Sequence, residues 1–138
     1  MSFTARKTTS ILASTAVALL LLTGCSAGQS KVEACTILTG GLQPLGTAIT
    51  EAAGNLTTDP EGASDDMSAA AEAFETEVAK ITNTDVKPPS DEAAASVTAF
   101  ADAVATVATD PETADFTVVS DAASDVQTKI TALGTVCS

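Results

Sequence analysis

The chain of 138 residues carries 18 acidic and 6 basic side chains and no histidine, so its formal net charge is −12 at pH 7. So acidic a surface repels nucleic acid, and the lack of histidine removes the commonest general base and metal ligand. Aromatic residues make up 3% of the chain, which excludes most stacking sites for bases and sugars.

The N-terminal residues have the layout of a secretory signal. Arg6 and Lys7 come first, the uncharged and mostly apolar residues 11–22 follow, and small residues come next. An apolar run of about 12 residues spans roughly 18 Å as a helix, whereas a membrane-spanning helix needs about 20 residues. We therefore predict a signal peptide over residues 1–24 that is removed, in preference to a permanent transmembrane anchor.

This predicted signal ends in Leu22-Thr23-Gly24-Cys25. An apolar residue and two small residues before a cysteine resemble the lipobox of bacterial lipoproteins, and the resemblance covers residues 1–25. It implies a diacylglyceryl group on the Cys25 thiol, an acyl chain such as palmitate on the new amine, and a location on the extracytoplasmic face of the cell membrane. Two or three acyl chains hold a protein stably, whereas one holds it only marginally. The alternative is an ordinary secretory signal with an incidental cysteine.

Cleavage before Cys25 leaves residues 25–138, enough for one domain with one core. We assign residues 25–31 to the lipidated cysteine and its tether, and residues 32–138 to the domain. All 18 acids and four lysines lie in this part, so its side-chain charge is 4 minus 18, or −14. Its alanine-rich and threonine-rich composition is similar to that of proteins from high-GC Gram-positive bacteria, especially actinobacteria.

The domain contains four stretches whose apolar residues alternate in spacings of three and four, which is typical of one face of a bundled helix. These stretches cover residues 35–56, 67–81, 93–107 and 116–137. The connections between them are short, and short connections favour antiparallel neighbours. The sequence therefore predicts an all-α fold, an antiparallel up-down-up-down four-helix bundle.

The sequence TDPE occurs twice, at residues 58–61 and 109–112. Each copy offers an N-cap aspartate, a proline for the first helical position and an acid for the first turn, and so predicts the start of the second and of the fourth helix. Ser90-Asp91-Glu92 offers a similar start to the third helix. The repeat is consistent with a duplicated helix hairpin and equally with one capping solution that arose twice.

Two cysteines lie at the outer ends of the apolar stretches, Cys35 at the beginning of the first and Cys137 at the end of the fourth. An up-down-up-down bundle brings these two ends together. In an oxidising compartment the favoured interpretation is a disulfide between Cys35 and Cys137. A pair of buried free thiols is the alternative.

Gly40, Gly41, Pro44 and Gly46 lie inside the first stretch. Pro44 has no amide hydrogen for the Gly40 carbonyl, and its ring clashes with that carbonyl in a regular helix. We therefore expect the first helix to be kinked or broken near Gly40–Pro44. A hinge or a ligand groove at this position is the functional alternative to a purely structural kink.

A short tether would turn the end with Cys35 and Cys137 toward the membrane and both TDPE connections away from it. The four lysines fall near the membrane side, and seven acids gather at the far end: Asp59, Glu61, Asp65, Asp66, Asp110, Glu112 and Asp115. Helix dipoles explain part of this separation, because acids stabilise helix starts. The functional alternative is that the lysines meet anionic lipid head groups and leave the acids to bind a partner.

The sequence lacks the common catalytic and phosphate-binding motifs, and residues 59–66 do not match a calcium loop because Gly62 occupies position four instead of six. We therefore expect no enzyme activity, no cofactor and no metal site. The favoured function is that of an adaptor or structural component, bound to the membrane by its lipid and to another envelope protein by its acids. The alternative is a carrier of a small apolar or cationic ligand in a cavity near residues 40–46, lined by Leu42 and Leu45.

Overall fold

The computed structural model describes residues 28–138, which form four α-helices joined by short connections. The helices are α1 (Lys31–Asn55), α2 (Pro60–Val78), α3 (Lys87–Thr109) and α4 (Phe116–Val136). This part of the chain contains no strand, so the predicted all-α fold is confirmed. None of these four helices combines the length and the apolar character of a membrane span. The predicted signal peptide and Cys25 lie outside the described residues.

Helices that are consecutive in the chain pack against each other: α1 on α2, α2 on α3 and α3 on α4. The short connections make each pair antiparallel, as predicted for an up-down-up-down bundle. The backbones of α1 and α4 show no comparable close approach. A disulfide between Cys35 and Cys137, whose Cα atoms are 5.7 Å apart, joins these outer helices at one end and confirms the predicted pairing.

The second and third stretches supply most of the buried core. Their predicted apolar residues are all buried: Met67, Ala71, Phe74, Val78, Ile81, Ala93, Val97, Phe100, Val104 and Val107. α3 buries further small residues, including Ser90 and Ser96, because it packs against both α2 and α4. The Ser90 hydroxyl donates to the Val86 carbonyl at 2.6 Å, so its burial leaves the hydroxyl hydrogen-bonded. α3 is therefore the central helix of the packing.

In α1 the buried face is offset from the predicted one. Leu38, Leu45 and Ala52 are buried as predicted, and Ala34 and Gly41 are buried with them. The other predicted positions are half-buried: Cys35, Leu42, Ile49 and Leu56. These residues are spaced by seven and share one side of α1, which is the side that the Cys35 disulfide turns toward α4.

α1 continues through Pro44, so of the two predicted alternatives, a kink or a break, the break does not form. Pro44 and Gly40 are both exposed, so the Gly40 carbonyl that Pro44 cannot bond is open to water. Gly41 has another role, because a Cβ atom there would lie 3.2 Å from Phe74 Cδ2 and 3.2 Å from Glu77 Cβ. The missing side chain at Gly41 thus allows α1 and α2 to approach closely.

The predicted start of α2 is confirmed, whereas that of α3 is displaced. At α2 the Asp59 carboxylate accepts a hydrogen bond from the Gly62 amide at 3.1 Å, and Pro60 is the first helical residue. α3 begins at Lys87, before the predicted start at Ser90. The two prolines that follow Lys87 fit a first helical turn, because amides at those positions need no intrahelical acceptor.

The predicted start of α4 is wrong. Asp110 caps the C-terminal end of α3, residues 111–113 form a turn, and α4 begins only at Phe116. The capping residue is Asp115, whose carboxylate accepts a hydrogen bond from the Thr117 amide at 2.9 Å. The first TDPE therefore starts a helix, whereas the second forms a turn.

Candidate functional site

We call the end of the bundle with the α1–α2 and α3–α4 connections the acidic end. It holds the seven acids predicted to bind a partner, all of them exposed: Asp59, Glu61, Asp65, Asp66, Asp110, Glu112 and Asp115. Glu61 and Asp65 of α2 line a shallow depression together with Ala108 and Thr109 of α3, so the two connections are close neighbours. The structure thus gathers the predicted acids at one end.

Three of these acids also hold the local backbone. Asp59 and Asp115 cap α2 and α4, and Asp110 accepts a hydrogen bond from the Thr113 hydroxyl at 2.6 Å. The hydrogen bond from the Thr117 hydroxyl, and after it the bond from the Thr117 amide, lowers the pKa of Asp115 below its usual value. Substitution of a capping acid would therefore disturb the fold as well as the surface charge.

Two apolar side chains lie exposed beside these acids at the start of α4. Phe116 is 47% exposed and Val118 is 51% exposed. The prediction that Phe116 belongs to the buried face is wrong, because α4 packs closely only on α3 and the ring stays exposed. Apolar spacing alone does not distinguish such a residue from a core residue.

A groove of about 460 Å³ lies between α1 and α4. Three helices contribute its lining residues, which are Ile49 from α1, Phe100 from α3, and Ala123, Val126, Gln127, Ile130 and Thr131 from α4. Phe100 and Val126 are buried, whereas Ile49 and Ile130 are half-buried and Ala123 is exposed. We call this site the α1–α4 groove.

The disulfide fixes the register of the two helices that border the α1–α4 groove. Ile49 and Ala123 each lie two seven-residue steps from their nearest cysteine. Residues seven apart share a helix face, so both side chains face the side that carries the sulfur atoms. Along this line of α4, Ile130 is half-buried while Ala123 and Phe116 are exposed. From Ile130 to Phe116 the side chains on this line thus become more exposed toward the acidic end.

Both bordering helices contain long segments without charged side chains. Residues 34–50 of α1 and residues 130–138 at the end of the chain contain none. Lys129 turns toward α3, where its Nζ atom donates to Glu92 Oε2 at 3.0 Å, and this hydrogen bond raises the pKa of Lys129. The side chains that line the α1–α4 groove are thus all uncharged, although the domain is strongly acidic.

The α1–α4 groove lies farther along α1 than the cavity predicted near residues 40–46. Leu45, predicted to line that cavity, is 1% exposed and belongs to the core. Leu42 is half-buried on the same side of α1 as Ile49, between Ile49 and the disulfide. The apolar spacing of α1 did not locate the groove, because Leu42 and Ile49 share that spacing with the buried Leu38 and Leu45.

The opposite end of the bundle, which we call the disulfide end, is bonded to the residues that precede α1. Gln29 Oε1 accepts hydrogen bonds from the amides of Thr82 and Asn83 at 2.8 and 3.2 Å. Gln29 Nε2 donates to the Lys80 carbonyl at 3.1 Å, and Asn83 Nδ2 donates to the Gln29 carbonyl at 2.9 Å. The α2–α3 connection thus holds the segment that leads toward Cys25, a contact that no local sequence pattern predicts.

Within residues 28–138, the cysteine, aspartate and glutamate side chains form no group of three or more that could hold a metal ion. In comparisons with protein-family models, curated proteins and solved structures, no match was found. Three features of the described residues are thus candidates for function: the acidic end, the α1–α4 groove and the contacts of Gln29.

Proposed function

We propose that this protein is a lipid-anchored component of the cell envelope that binds another envelope protein through its acidic end and performs no catalysis. The observation that carries the proposal is the hydrogen bonding of Gln29 to the α2–α3 connection. Gln29 follows the predicted anchor Cys25 by four residues, so the intervening chain spans at most about 14 Å. With Cys25 in the bilayer, the disulfide end lies close to the membrane surface.

This arrangement turns the acidic end away from the membrane. α1 has 25 residues and at 1.5 Å per residue it rises about 38 Å. The acids and Phe116 are then held roughly that far above the disulfide end, beyond the lipid head groups. Because Gln29 is bonded to the fold, the domain has a preferred orientation, which favours contact with a second protein.

The acidic end combines the two components of a protein-binding surface. Phe116 and Val118 supply exposed apolar area, and aromatic side chains are frequent anchors of interfaces. The surrounding carboxylates attract a partner of opposite charge and accelerate its association. We therefore expect the partner to present an apolar pocket bordered by lysine or arginine.

Crosslinking in living cells tests for this partner. A variant with Asp65→Lys, Asp66→Lys and Phe116→Ser should lose the protein that the wild type captures, because it removes both attractive charge and the apolar anchor. The matched control is Asp121→Lys with Asp125→Lys, which changes exposed acids farther along α4 and should retain the partner. Retention by the first variant, or equal loss from both, would contradict the proposal.

Metabolic labelling with a fatty-acid analogue tests the anchor separately. The wild type should carry the label and Cys25→Ser should not, because the thiol is the predicted site of acylation. A variant in which Cys35 and Cys137 are both replaced by serine controls for general effects of cysteine loss and should be labelled normally. An unlabelled wild type, or undiminished labelling of Cys25→Ser, would exclude lipidation at this cysteine.

A further inference from the structure

The α1–α4 groove has the size and the apolar base of a small-molecule site. Its volume of about 460 Å³ falls within the usual range of roughly 300–1,000 Å³ for such sites. The buried side chains of Phe100 and Val126 form the base, and the half-buried Ile49 and Ile130 form the sides. Ala123 contributes a single methyl group at the exposed edge, which leaves room for a ligand.

Two polar side chains of α4, Gln127 and Thr131, also line the groove. The Thr131 hydroxyl donates to the Gln127 backbone carbonyl at 2.8 Å, so the hydroxyl oxygen remains an acceptor. The side-chain amide of Gln127 can both donate and accept. These groups match an uncharged hydroxyl or amide, which also both donates and accepts hydrogen bonds.

The charges of the domain disfavour an anionic ligand. None of the lining residues is charged, and Lys129 of α4 is hydrogen-bonded to Glu92 on the α3 side. Residues 25–138 carry four lysines and 18 acids, a side-chain charge of −14 that repels anions at long range. A carboxylate in the groove would lose hydration without gaining a counter-ion.

We propose that the α1–α4 groove binds one uncharged lipophilic molecule, with an apolar body and a hydroxyl or amide head group. The apolar body covers Phe100, Ile49 and Ile130, and the head group is hydrogen-bonded to Gln127 and Thr131. A second copy of the chain is a poorer occupant, because symmetric pairing sets one concave groove against another. The site requires neither the anchor at Cys25 nor the partner of the acidic end.

The test uses the oxidised protein of residues 28–138, which contains the four helices, the disulfide and the described core. Two probes with the same alkyl chain, 1-decanol and decanoate, are titrated at pH 7 and followed by NMR of side-chain methyl groups. We expect 1-decanol to shift the methyl signals of Ile49, Val126 and Ile130 until saturation. Decanoate should bind at least about tenfold more weakly, because its charge is repelled.

Variants that fill the α1–α4 groove with a larger side chain provide a second test. Ala123→Phe places a ring at the exposed edge and should weaken 1-decanol binding by at least about tenfold. Ala132→Phe is the control, because Ala132 is exposed on the opposite side of α4. Ala123→Leu, a smaller filler, serves the same purpose if the phenylalanine variant does not fold.

Several results would overturn the proposal. They are the absence of saturable shifts, shifts remote from the groove methyl groups, equal affinity for decanoate, and undiminished binding by the filled variants. Decylammonium binding about tenfold tighter than 1-decanol at 0.15 M salt would show selection for a cation instead. Dimerisation that Ala123→Phe abolishes would show that a second copy occupies the groove.

Discussion

At the scale of single residues, two glycines of α1 have different surroundings. Gly41 is buried where α1 meets α2, and a Cβ atom added there would contact Phe74 and Glu77. Gly46 is exposed, and a Cβ atom added there would have no neighbour within 4 Å. The same substitution therefore tests helix propensity alone at one position and helix packing at the other.

Alanine should stabilise the protein at Gly46 and should help less or not at all at Gly41. Gly46→Ala should raise the free energy of unfolding by about 0.5–1 kcal/mol, because alanine favours the helix. Gly41→Ala should be at least about 1 kcal/mol less stable than Gly46→Ala, because the Phe74 ring is buried and cannot easily move. Urea unfolding measures both values, and equal stabilities would contradict the close approach at Gly41.

A second feature at this scale is the capping box of α1. The backbone amide and the hydroxyl of Ser30 donate to Glu33 Oε2 at 2.9 and 2.8 Å, and the Glu33 amide donates to Ser30 Oγ at 3.2 Å. The bond from the Ser30 backbone amide, and after it the bond from the hydroxyl, lowers the pKa of Glu33 from its usual 4.5. The folded state therefore stabilises the charged form of the Glu33 carboxylate.

The capping box predicts the direction of one pH effect. Because the pKa of Glu33 is lower in the folded state, its contribution to stability is present above pH 4.5 and is lost as the pH falls through the folded pKa. Ser30→Ala removes the hydroxyl bond but keeps the backbone amide, so it should move this pKa part of the way back toward 4.5, as measured by NMR titration of the Glu33 carboxyl carbon. Thr36→Ala, which removes a hydroxyl bonded to the Val32 carbonyl, should leave the pKa unchanged. An unaltered pKa in Ser30→Ala would contradict the contribution of the Ser30 hydroxyl.

At the scale of elements, the α2–α3 connection depends on Gln29. Gln29→Ala should accelerate hydrogen exchange of the Thr82 and Asn83 amides and lower the free energy of unfolding by about 1–2 kcal/mol, because their acceptor is removed. Gln43→Ala, at an exposed glutamine of α1, is the control and should change neither quantity. Exchange at the two amides is followed by NMR, and unchanged rates would refute the role of Gln29.

The apolar spacing predicted the inner helices better than the outer ones. Every predicted position of the second and third stretches is buried, because α2 and α3 each lie between two neighbouring helices. α1 and α4 have one close neighbour each, so part of each predicted face stays half-buried or exposed. Leu42, Ile49 and Ala123 are therefore less buried than the pattern predicts.

Short sequence motifs also predicted only some of the helix starts and only some of the features of the candidate sites. Asp59 caps α2 as predicted, whereas Asp115 caps α4 instead of Asp110. A local sequence pattern does not show which of two nearby aspartates becomes the N-cap. The acids of the acidic end could be predicted from chain order in a bundle. The exposure of Phe116 and the contacts of Gln29 could not, because they depend on packing between residues far apart in the chain.

At the scale of the whole molecule, the disulfide closes a loop of 102 residues between α1 and the end of α4. Reduction should lower the free energy of unfolding by about 2–5 kcal/mol, because the unfolded chain gains conformational freedom. Hydrogen exchange should increase more in α1 and α4 than in α2 and α3, because each outer helix packs closely on one neighbouring helix and each inner helix on two. Urea unfolding with and without reductant measures the effect. A protein with serine at both Cys35 and Cys137 should be insensitive to reductant, and a wild type equally insensitive would contradict the prediction.

Because charge is distributed unevenly, added salt should affect binding at the two proposed surfaces differently. The Debye length is about 8 Å at 0.15 M salt and shortens as salt is added, so attraction between the acidic end and a basic partner weakens. The side chains that line the α1–α4 groove carry no charge to screen, so an uncharged ligand there should remain bound. If the protein has the proposed location outside the cytoplasm, a rise in external salinity should release the proposed protein partner while the proposed ligand stays in the groove.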